Sequence, residues 1–298
     1  MPIVDVHSHV LPGVDDGAQD LEQALEGLRT LASEGVERVV ATPHFRGSLL
    51  ERPRRARDRL EGFDAAYETL AEAARARGIV IGLERGVEFK LDLPEIDLSD
   101  ARLRLGGSRF ALVEFASFQL PPFAGNQLRA VLDAGWVPVL AHPERYFGVE
   151  RALDQVSEWV AAGVLLQVNL RSLAGGYGPV ARNVAEELLA TGRVTCVASD
   201  YHCRDEPGWV AAVPRLEAAV ALRGPGASGG GDAPGSAGAG DGERGAPEAR
   251  ADSPPTRAQG ARALMYGNPG RLLADEPPSP VPALRIADGD RAGRRRRL

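Results

Sequence analysis

"VDVHSHVLPGVDDG", residues 4–17, is a short apolar run that ends in two histidines one residue apart, with two aspartates just beyond. In an extended chain successive side chains point to opposite faces, so His7 and His9 share a face and Ser8 points away. The same spacing recurs where Tyr201 separates Asp200 from His202. Counting the stretches that hold these pairs, seven apolar runs follow in order: "IVDVHSHV", "VERVVATPH", "IVIGLERGVEF", "FALVEFA", "WVPVLAHPE", "VLLQVNL" and "VTCVASD". Amphipathic segments separate them, among them Leu21–Ser33, which Asp20 can N-cap, and Ala181–Ala190, which Gly192 stops. Short continuous apolar strands alternating with helices predict a parallel α/β sheet covered on both faces, either closed as a barrel or open and doubly wound. In both cases the chemistry is expected at the carboxyl ends of the strands.

Those ends carry the polar residues. His7 and His9 close the first run, His44 follows "VVATP", Glu88 follows "IGLERGV", Glu114 ends "FALV", His142 follows "VPVLA", and Asp200 and His202 follow "TCVAS". The chain has five histidines, and all five belong to this set. Scattered surface or core histidines would fall in helices and in low-complexity sequence as well. Imidazole with carboxylate suits borderline divalent cations such as Mn²⁺, Fe²⁺ or Zn²⁺, and the absence of a paired cysteine cluster argues against a structural zinc knuckle. A single strand-end histidine is more often bonded to backbone than to metal; two pairs plus four further ligand-type residues at strand ends favour metal. Asp15 and Asp16 stay open at this level, because "DDG" is also a turn signal.

Composition sets the frame. At 298 residues and 44% hydrophobic, the chain can bury one large core. No apolar run reaches the roughly 18 residues of a membrane span, and no basic-then-apolar secretory pattern opens the sequence, so a cytoplasmic protein without stable membrane insertion is expected. Cys196 and Cys203 cannot form a disulfide framework. A net charge of −6 gives no reason to expect nucleic acid as a partner, and the basic "RAGRRRRL" end reads as a solvated tail. By texture, residues 1–222 read as the main unit of alternating strands and helices, 223–260 as a flexible Gly/Ala/Pro-rich linker, 261–276 as a closing helix that docks through Leu264, Met265, Leu272 and Leu273, and 277–298 as a disordered basic tail.

"VDVHSHVLPGVDDGAQD", "ATPHF", "GVEF", "LVEF", "LAHPERY", "LQVNLRSLAGGYG" and "ASDYH", in this order, resemble the PHP (polymerase and histidinol phosphatase) superfamily. More narrowly they are similar to the bacterial metal-dependent protein tyrosine phosphatases of capsule and exopolysaccharide operons, the CpsB/CapB/YwqE type. "HSHxLPGxDDG" together with "AHPER" is specific for that branch, and "GNPGRLLAD" resembles its closing helix. The resemblance implies a distorted (β/α)7 barrel, TIM-like, holding three metal ions, with Mn²⁺ the expected ion. Carried over by position, His7, His9, Glu88 and Asp200 would hold one ion, and Glu88, Glu114 and His142 a second. The third would take His44, His202 and Asp15, chosen over Asp16. Glu88 is preferred to Glu84 because "GVEF" matches the family's stretch. Arg145 would bind phosphate, and so would Arg204, although "CRDEPGW" departs from the family's usual loop. The implied partner is a phosphotyrosine-bearing protein, a bacterial tyrosine kinase of polysaccharide assembly. The oligomeric state is not implied.

The chemistry follows from the residues as well. Clustered divalent ions acidify a bridging water and neutralise phosphoryl oxygens, which is most of what phosphoryl transfer needs. Arginine at 145 can grip phosphate in a bidentate way, or else pair with Glu144 on the surface. A cysteine-dependent phosphatase needs an arginine six places after its thiolate; here those places hold His202 and Trp209. No G-x-S-x-G elbow, Walker A loop or Rossmann fingerprint follows any of the seven apolar runs, and "SLAGGYG" reads as a strand-to-helix connection lining the cleft. The arginines of "LERPRRARDRLEGF" read as the solvated face of a helix near His44, the alternative being attraction of an acidic tail. Three functions remain: a tyrosine phosphatase, a phosphatase of a small ester such as histidinol phosphate or a nucleotide, and a non-catalytic metal-binding module.

Overall fold

The computed structural model describes residues 3–93, 96–218, 220–221 and 257–286. Nine short strands trace a parallel ring: β1 (Ile3–Ser8), β2 (Val36–Ala41), β3 (His44–Arg46), β4 (Gly82–Arg85), β5 (Glu88–Leu91), β6 (Phe110–Phe115), β7 (Val137–Ala141), β8 (Leu165–Asn169) and β9 (Cys196–Ala198). They pair as β1-β2-β4 and β3-β5-β6-β7-β8-β9. Two of the seven predicted runs are each broken: β3 continues β2 after Thr42 and Pro43, and β5 continues β4 after Gly86 and Val87. A proline and a glycine at the breaks explain them, since one lacks an amide donor and the other weakens a strand. The ring closes between β9 and β1, where Asp200 N–H donates to His7 carbonyl oxygen at 3.0 Å and His9 N–H to that of Tyr201 at 2.8 Å. The result is a distorted (β/α)7 barrel, and the open doubly wound alternative is set aside.

Alternate residues fill the barrel. Val4, Val6, Val40, Phe110, Leu112, Val139, Ala141, Cys196 and Ala198 form one inner cluster. Helices including α1 (Leu21–Ser33), α2 (Pro53–Ala76), α3 (Ala124–Asp133), α4 (Leu153–Ala161) and α5 (Gly178–Ala190) bury the outer faces of the strands in a second cluster. Asp20 caps α1 by accepting from Gln23 N–H at 2.9 Å, as its sequence predicts. Leu105 and Leu272 complete the inner cluster from outside the ring: the first comes from the turn Leu105–Gly107, the second from a closing helix.

That closing helix runs through Arg257–Arg262, a π-helical turn Ala263–Gly267 and Asn268–Leu273, burying Leu264, Met265 and Leu272. Most of the expected linker 223–260 lies outside the described residues, and its last residues, from Arg257, already belong to this helix. The expected disordered tail needs correction over 277–286. Asn268 exchanges hydrogen bonds with Ser279 at 2.7 and 3.0 Å, Leu284 is buried, and Leu284–Arg285 pairs antiparallel with Val220–Ala221. Leu284, with Val281 and Ile286 packed against the same core, docks a Pro-rich stretch whose composition averages the signal away. Residues 287–298 lie outside the described residues.

One irregularity of β1 positions the site. Asp5 lies opposite Val39 and Ser8 opposite Ala41, so β1 carries one residue more than β2 over that interval. This is a bulge, and it puts Val6 and His7 on the same, inner side. Asp5 instead faces the helical shell, where it accepts from Trp209 Nε1 at 2.9 Å and from Ser199 N–H at 3.2 Å. Without the bulge, strict alternation would send His7 outward with Asp5.

Leu272 plugs the barrel with no exposure. Leu272→Ala is expected to cost about 2–5 kcal/mol, the range for a buried Leu→Ala, against at most about 0.5 kcal/mol for Val210→Ala on the surface. Urea denaturation followed by circular dichroism compares the two.

Candidate active site

The carboxyl rim of the barrel gathers all five histidines. Their rings form a chain with centroid separations of 4.1 Å for His9–His202, 4.6 Å for His9–His44, 5.3 Å for His7–His9 and 5.6 Å for His7–His142. Glu88 lies among them. Its Oε2 is 2.9 Å from His44 Nδ1, 3.4 Å from His7 Nε2 and 3.5 Å from His9 Nε2, and its Oε1 is 2.9 Å from His142 Nε2. Asp200 Oδ1 completes the first cluster at 3.3 Å from His7 Nε2 and 3.4 Å from His9 Nε2. Glu114 Oε1 lies 3.1 Å from His44 Nδ1. Glu84, the alternative to Glu88, instead pairs with Arg38 at 2.7 Å.

Four donor groups emerge: His7, His9 and Asp200; His7, Glu88 and His142; His44, Glu88 and Glu114; and His9, Asp16, His44 and His202. The first holds three of the four residues of the expected first set, without Glu88. The second and third divide the expected Glu88, Glu114 and His142 set between them. The fourth contains Asp16, whose Oδ1 lies 3.4 Å from His44 Nε2 and 3.5 Å from His202 Nε2. Asp15, the expected ligand, faces another way: its Oδ2 accepts from His9 Nδ1 at 2.7 Å and from His44 N–H at 3.1 Å, and its Oδ1 from Gly17 N–H at 2.9 Å. With those bonds made, Asp15 orients His9 and folds the loop that presents Asp16.

The donor set fits divalent cations by its unmet hydrogen bonding. His44 Nδ1, Glu88 Oε2, Glu114 Oε1 and His142 Nδ1 are buried and have no correctly angled hydrogen-bond partner. Buried polar atoms are normally satisfied. Here several lone pairs converge instead. Behind them, Gln167 Oε1 accepts from His7 Nδ1 at 2.9 Å, and Gln167 Nε2 donates to Asn169 Oδ1 at 2.8 Å. Asn169 Nδ2 in turn donates to Asp200 Oδ2 at 2.7 Å. Such partners fix the ring tautomer, so that His7 and His9 both turn Nε2 inward. Gln167 and Asn169 are not singled out by the sequence, and Asp16 is there set aside in favour of Asp15. The first two face inward from β8, the one run whose end carries neither histidine nor acid in "LLQVNL", and that gap is the signal that could have found them.

His142 and Asp200 have φ of 37° and 54°. Left-handed backbone at non-glycine residues costs about 1–3 kcal/mol each and persists where the surroundings enforce it. Asp200 and His202 therefore reach the site through a turn, not through strand alternation, because β9 already ends at Ala198.

Crowding governs the charges. Burial disfavours charge on Glu88, but the charge of His7 and the contacts with His142 and His44 outweigh it and hold the carboxyl well below its usual range. Burial likewise opposes ionisation of Asp15, and its bond with His9 prevails, leaving it at about 2. His44 is pushed up to about 10, because contacts with Glu114 and Glu88 outweigh burial. His202 moves down, driven by burial and by the charge of His9.

The arginines line one side of the rim. Arg145 Nη1 donates to Asp200 Oδ2 at 2.6 Å, and its guanidinium lies between Phe118, at 4.5 Å, and Tyr177, at 4.1 Å. It does not pair with Glu144, whose carboxylate accepts from Asn169 N–H at 2.9 Å and Ser172 Oγ at 2.6 Å. Arg145, Arg171, Tyr177, Asp200, His202 and Arg204 line a cleft of about 200 Å³. Arg204 has no ion pair among the described residues; Arg171, which the sequence did not single out, pairs with Asp205. Lys90, also missed, sits on the opposite side with Nζ 3.1 Å from Glu114 Oε1. In "RPRRARDRL", Arg54, Arg55 and Arg57 form the expected solvated face of α2, while Arg59 donates to the Val14 carbonyl and ties the helix to the ligand loop.

Fold and site together define a parallel α/β barrel with a cluster of histidines and carboxylates at its rim that is able to hold metal ions. Residues 3–221 match the CpsB/CapC family of capsular polysaccharide synthesis, and the chain belongs to that family. CpsB of Streptococcus pneumoniae, a tyrosine-protein phosphatase, is 30% identical over 210 residues, covering 68% of this chain and 84% of that protein. CapC of Staphylococcus aureus, a putative tyrosine-protein phosphatase, is 28% identical over 202 residues, 67% of this chain and 77% of its own. A crystal structure from work on YwqE of Bacillus subtilis and CpsB of S. pneumoniae, described as unique metal-dependent tyrosine phosphatases, superposes with a TM-score of 0.67. That match has 22% identity and covers 94% of this chain and 99% of the other, so it establishes likeness of fold.

A divalent metal takes neutral imidazole, whereas His44 of the metal-free site is protonated at neutral pH. Binding Mn²⁺ at pH 7 is therefore expected to release protons, and affinity to rise from pH 6 to pH 8. Calorimetry in buffers of different ionisation enthalpy measures the release. Gln167→Ala is expected to weaken metal binding by about 10–100-fold.

Proposed function

We propose that the protein is a metal-dependent phosphatase that hydrolyses phosphotyrosine in a protein substrate, by family likeness a tyrosine kinase of capsule or exopolysaccharide assembly. The observation that carries this reading is the junction at Asp200: one carboxylate serves the His7 and His9 cluster through Oδ1 and receives Arg145 through Oδ2. The relatives' activities support it.

His7, His9, Asp16, His44, Glu88, Glu114, His142, Asp200 and His202 would hold the ions, and we assign Mn²⁺ in a three-ion cluster, with Fe²⁺ or Zn²⁺ the other ions this donor set accepts. Bound there, divalent cations supply Lewis acidity to phosphoryl oxygens and lower the pKa of a water. Arg145 adds a planar fork that binds two phosphoryl oxygens at once. Its charge is already oriented by Asp200 and by two aromatic faces, so little reorganisation accompanies the reaction. Phe118 and Tyr177 also offer walls for an aryl ring next to the phosphate site, which a small aliphatic ester would leave unused. Arg204 lines the same cleft and provides a second positive group. A kinase substrate of this type places the reaction in the cytoplasm. Among the described residues no helix is long and apolar enough to cross a membrane.

Phosphate release from a phosphotyrosyl peptide and from histidinol phosphate, measured side by side in metal-stripped protein with and without Mn²⁺, tests the proposal. Turnover of the peptide should depend on metal and disappear in His142→Ala. Arg145→Ala should lower kcat/KM by about 10²- to 10³-fold, as for loss of one oriented charged donor. Turnover of the small ester alone would sink the phosphotyrosine reading.

A further inference from the structure

Of the 35 lysine and arginine residues in the chain, Lys90 is the one lysine. β5 carries it two residues beyond Glu88, on the same face. The parallel ladders set it beside Arg46 of β3 and Glu114 of β6. Its Nζ is 3.1 Å from Glu114 Oε1, yet that oxygen has no hydrogen-bond partner, so the contact is one of charge without hydrogen-bond geometry. Among the described residues the ammonium makes no other ion pair or hydrogen bond. The Lys90 side chain is 23% exposed where that of Glu114 is 6%, which places the ammonium at the mouth of the site with its donors uncommitted.

Any role that asks only for surface charge is met in this chain by arginine. The exception stands among metal ligands, where the two cations differ most. Guanidinium is a flat fork that needs two parallel acceptors, whereas ammonium is a compact point charge with three donors that rotate to whatever oxygens are near. Arg145 already provides the fork, and it follows β7; Lys90 is on β5, so the two cations approach from either side of β6. We propose that Lys90 is a catalytic residue whose ammonium contacts the phosphoryl oxygens of the substrate, opposite Arg145. This rests on the phosphatase reading above. In phosphoryl transfer, charge gathers on the peripheral and leaving oxygens, and a donor held in place beforehand stabilises it.

Being the sole lysine, Lys90 can be observed directly. Reductive methylation with ¹³C-formaldehyde labels only Lys90 and the terminal amine, and the signal missing from Lys90→Arg assigns the first. Inorganic phosphate titrated into Zn²⁺-loaded protein should shift the Lys90 signal saturably and leave the terminal one unmoved. In parallel, Lys90→Met should lower kcat on a phosphotyrosyl peptide by about 10²-fold with its metal content unchanged, and Lys90→Arg should recover only part of it. An unmoved Lys90 signal, or unchanged kinetics in Lys90→Met, overturns the proposal. So does loss of metal in Lys90→Met that Lys90→Arg fully restores, because Lys90 would then merely position Glu114. If the wild type hydrolyses no phosphotyrosyl peptide while phosphate still moves the Lys90 signal, the phosphotyrosine reading fails and the anion contact stands.

Discussion

The fully buried carboxylate of Glu88 is the point on which the rim of this barrel converges. Four imidazoles, from His7, His9, His44 and His142, approach its two oxygens within 3.5 Å. An isolated carboxylate in such a place would give up its charge. It keeps it because histidines surround it, and they in turn are held by Asp15, Asp200 and Gln167. Each strand end thus contributes one part of a charge balance that none could sustain alone, and the β1 bulge and the left-handed backbone at His142 and Asp200 persist in its service.

Much of this was legible because ligand chemistry leaves a coarse mark. Five histidines confined to the ends of apolar runs identify both the strand directions and the rim at which they meet. The strand pattern itself could not choose between a closed barrel and an open sheet, since both bury continuous apolar strands; closure depends on backbone hydrogen bonds between β9 and β1 that no side chain announces.

What escaped reading is local geometry. Asp15 and Asp16 are chemically identical neighbours, and a turn of the chain decides that one braces His9 and the other faces His44 and His202. Period-two reasoning correctly paired His7 with His9 and yet missed why they face inward, because a bulge changes the phase of the alternation without changing the sequence pattern. Gln167 and Asn169 were passed over because amides are common everywhere, and only their position behind His7 and Asp200 gives them a role. Lys90 was visible in composition alone, as a singular residue, but its meaning required the neighbouring strand.

The two ends of the barrel divide stability from chemistry. At the base, Leu105 and Leu272 fill the interior with apolar volume, and the segment around Leu284 packs against the closing helix in the outer cluster. Left-handed backbone occurs there too, at Asp275 with φ of 58°, whose carboxylate accepts from Arg109 N–H at 2.7 Å, but it carries no buried cluster of charge. At the rim, buried charge, unmet hydrogen-bonding capacity and left-handed backbone accumulate within one cluster. Close packing at one end allows such costs at the other, since the strands that carry the ligands are the same strands whose lower halves are locked in the core. The placement of the closing helix far along the chain, after a long Gly/Ala/Pro-rich insertion, follows the same logic. The base asks only for apolar shape, which a returning segment can supply, whereas the rim asks for exact atoms and draws them from the strand ends themselves.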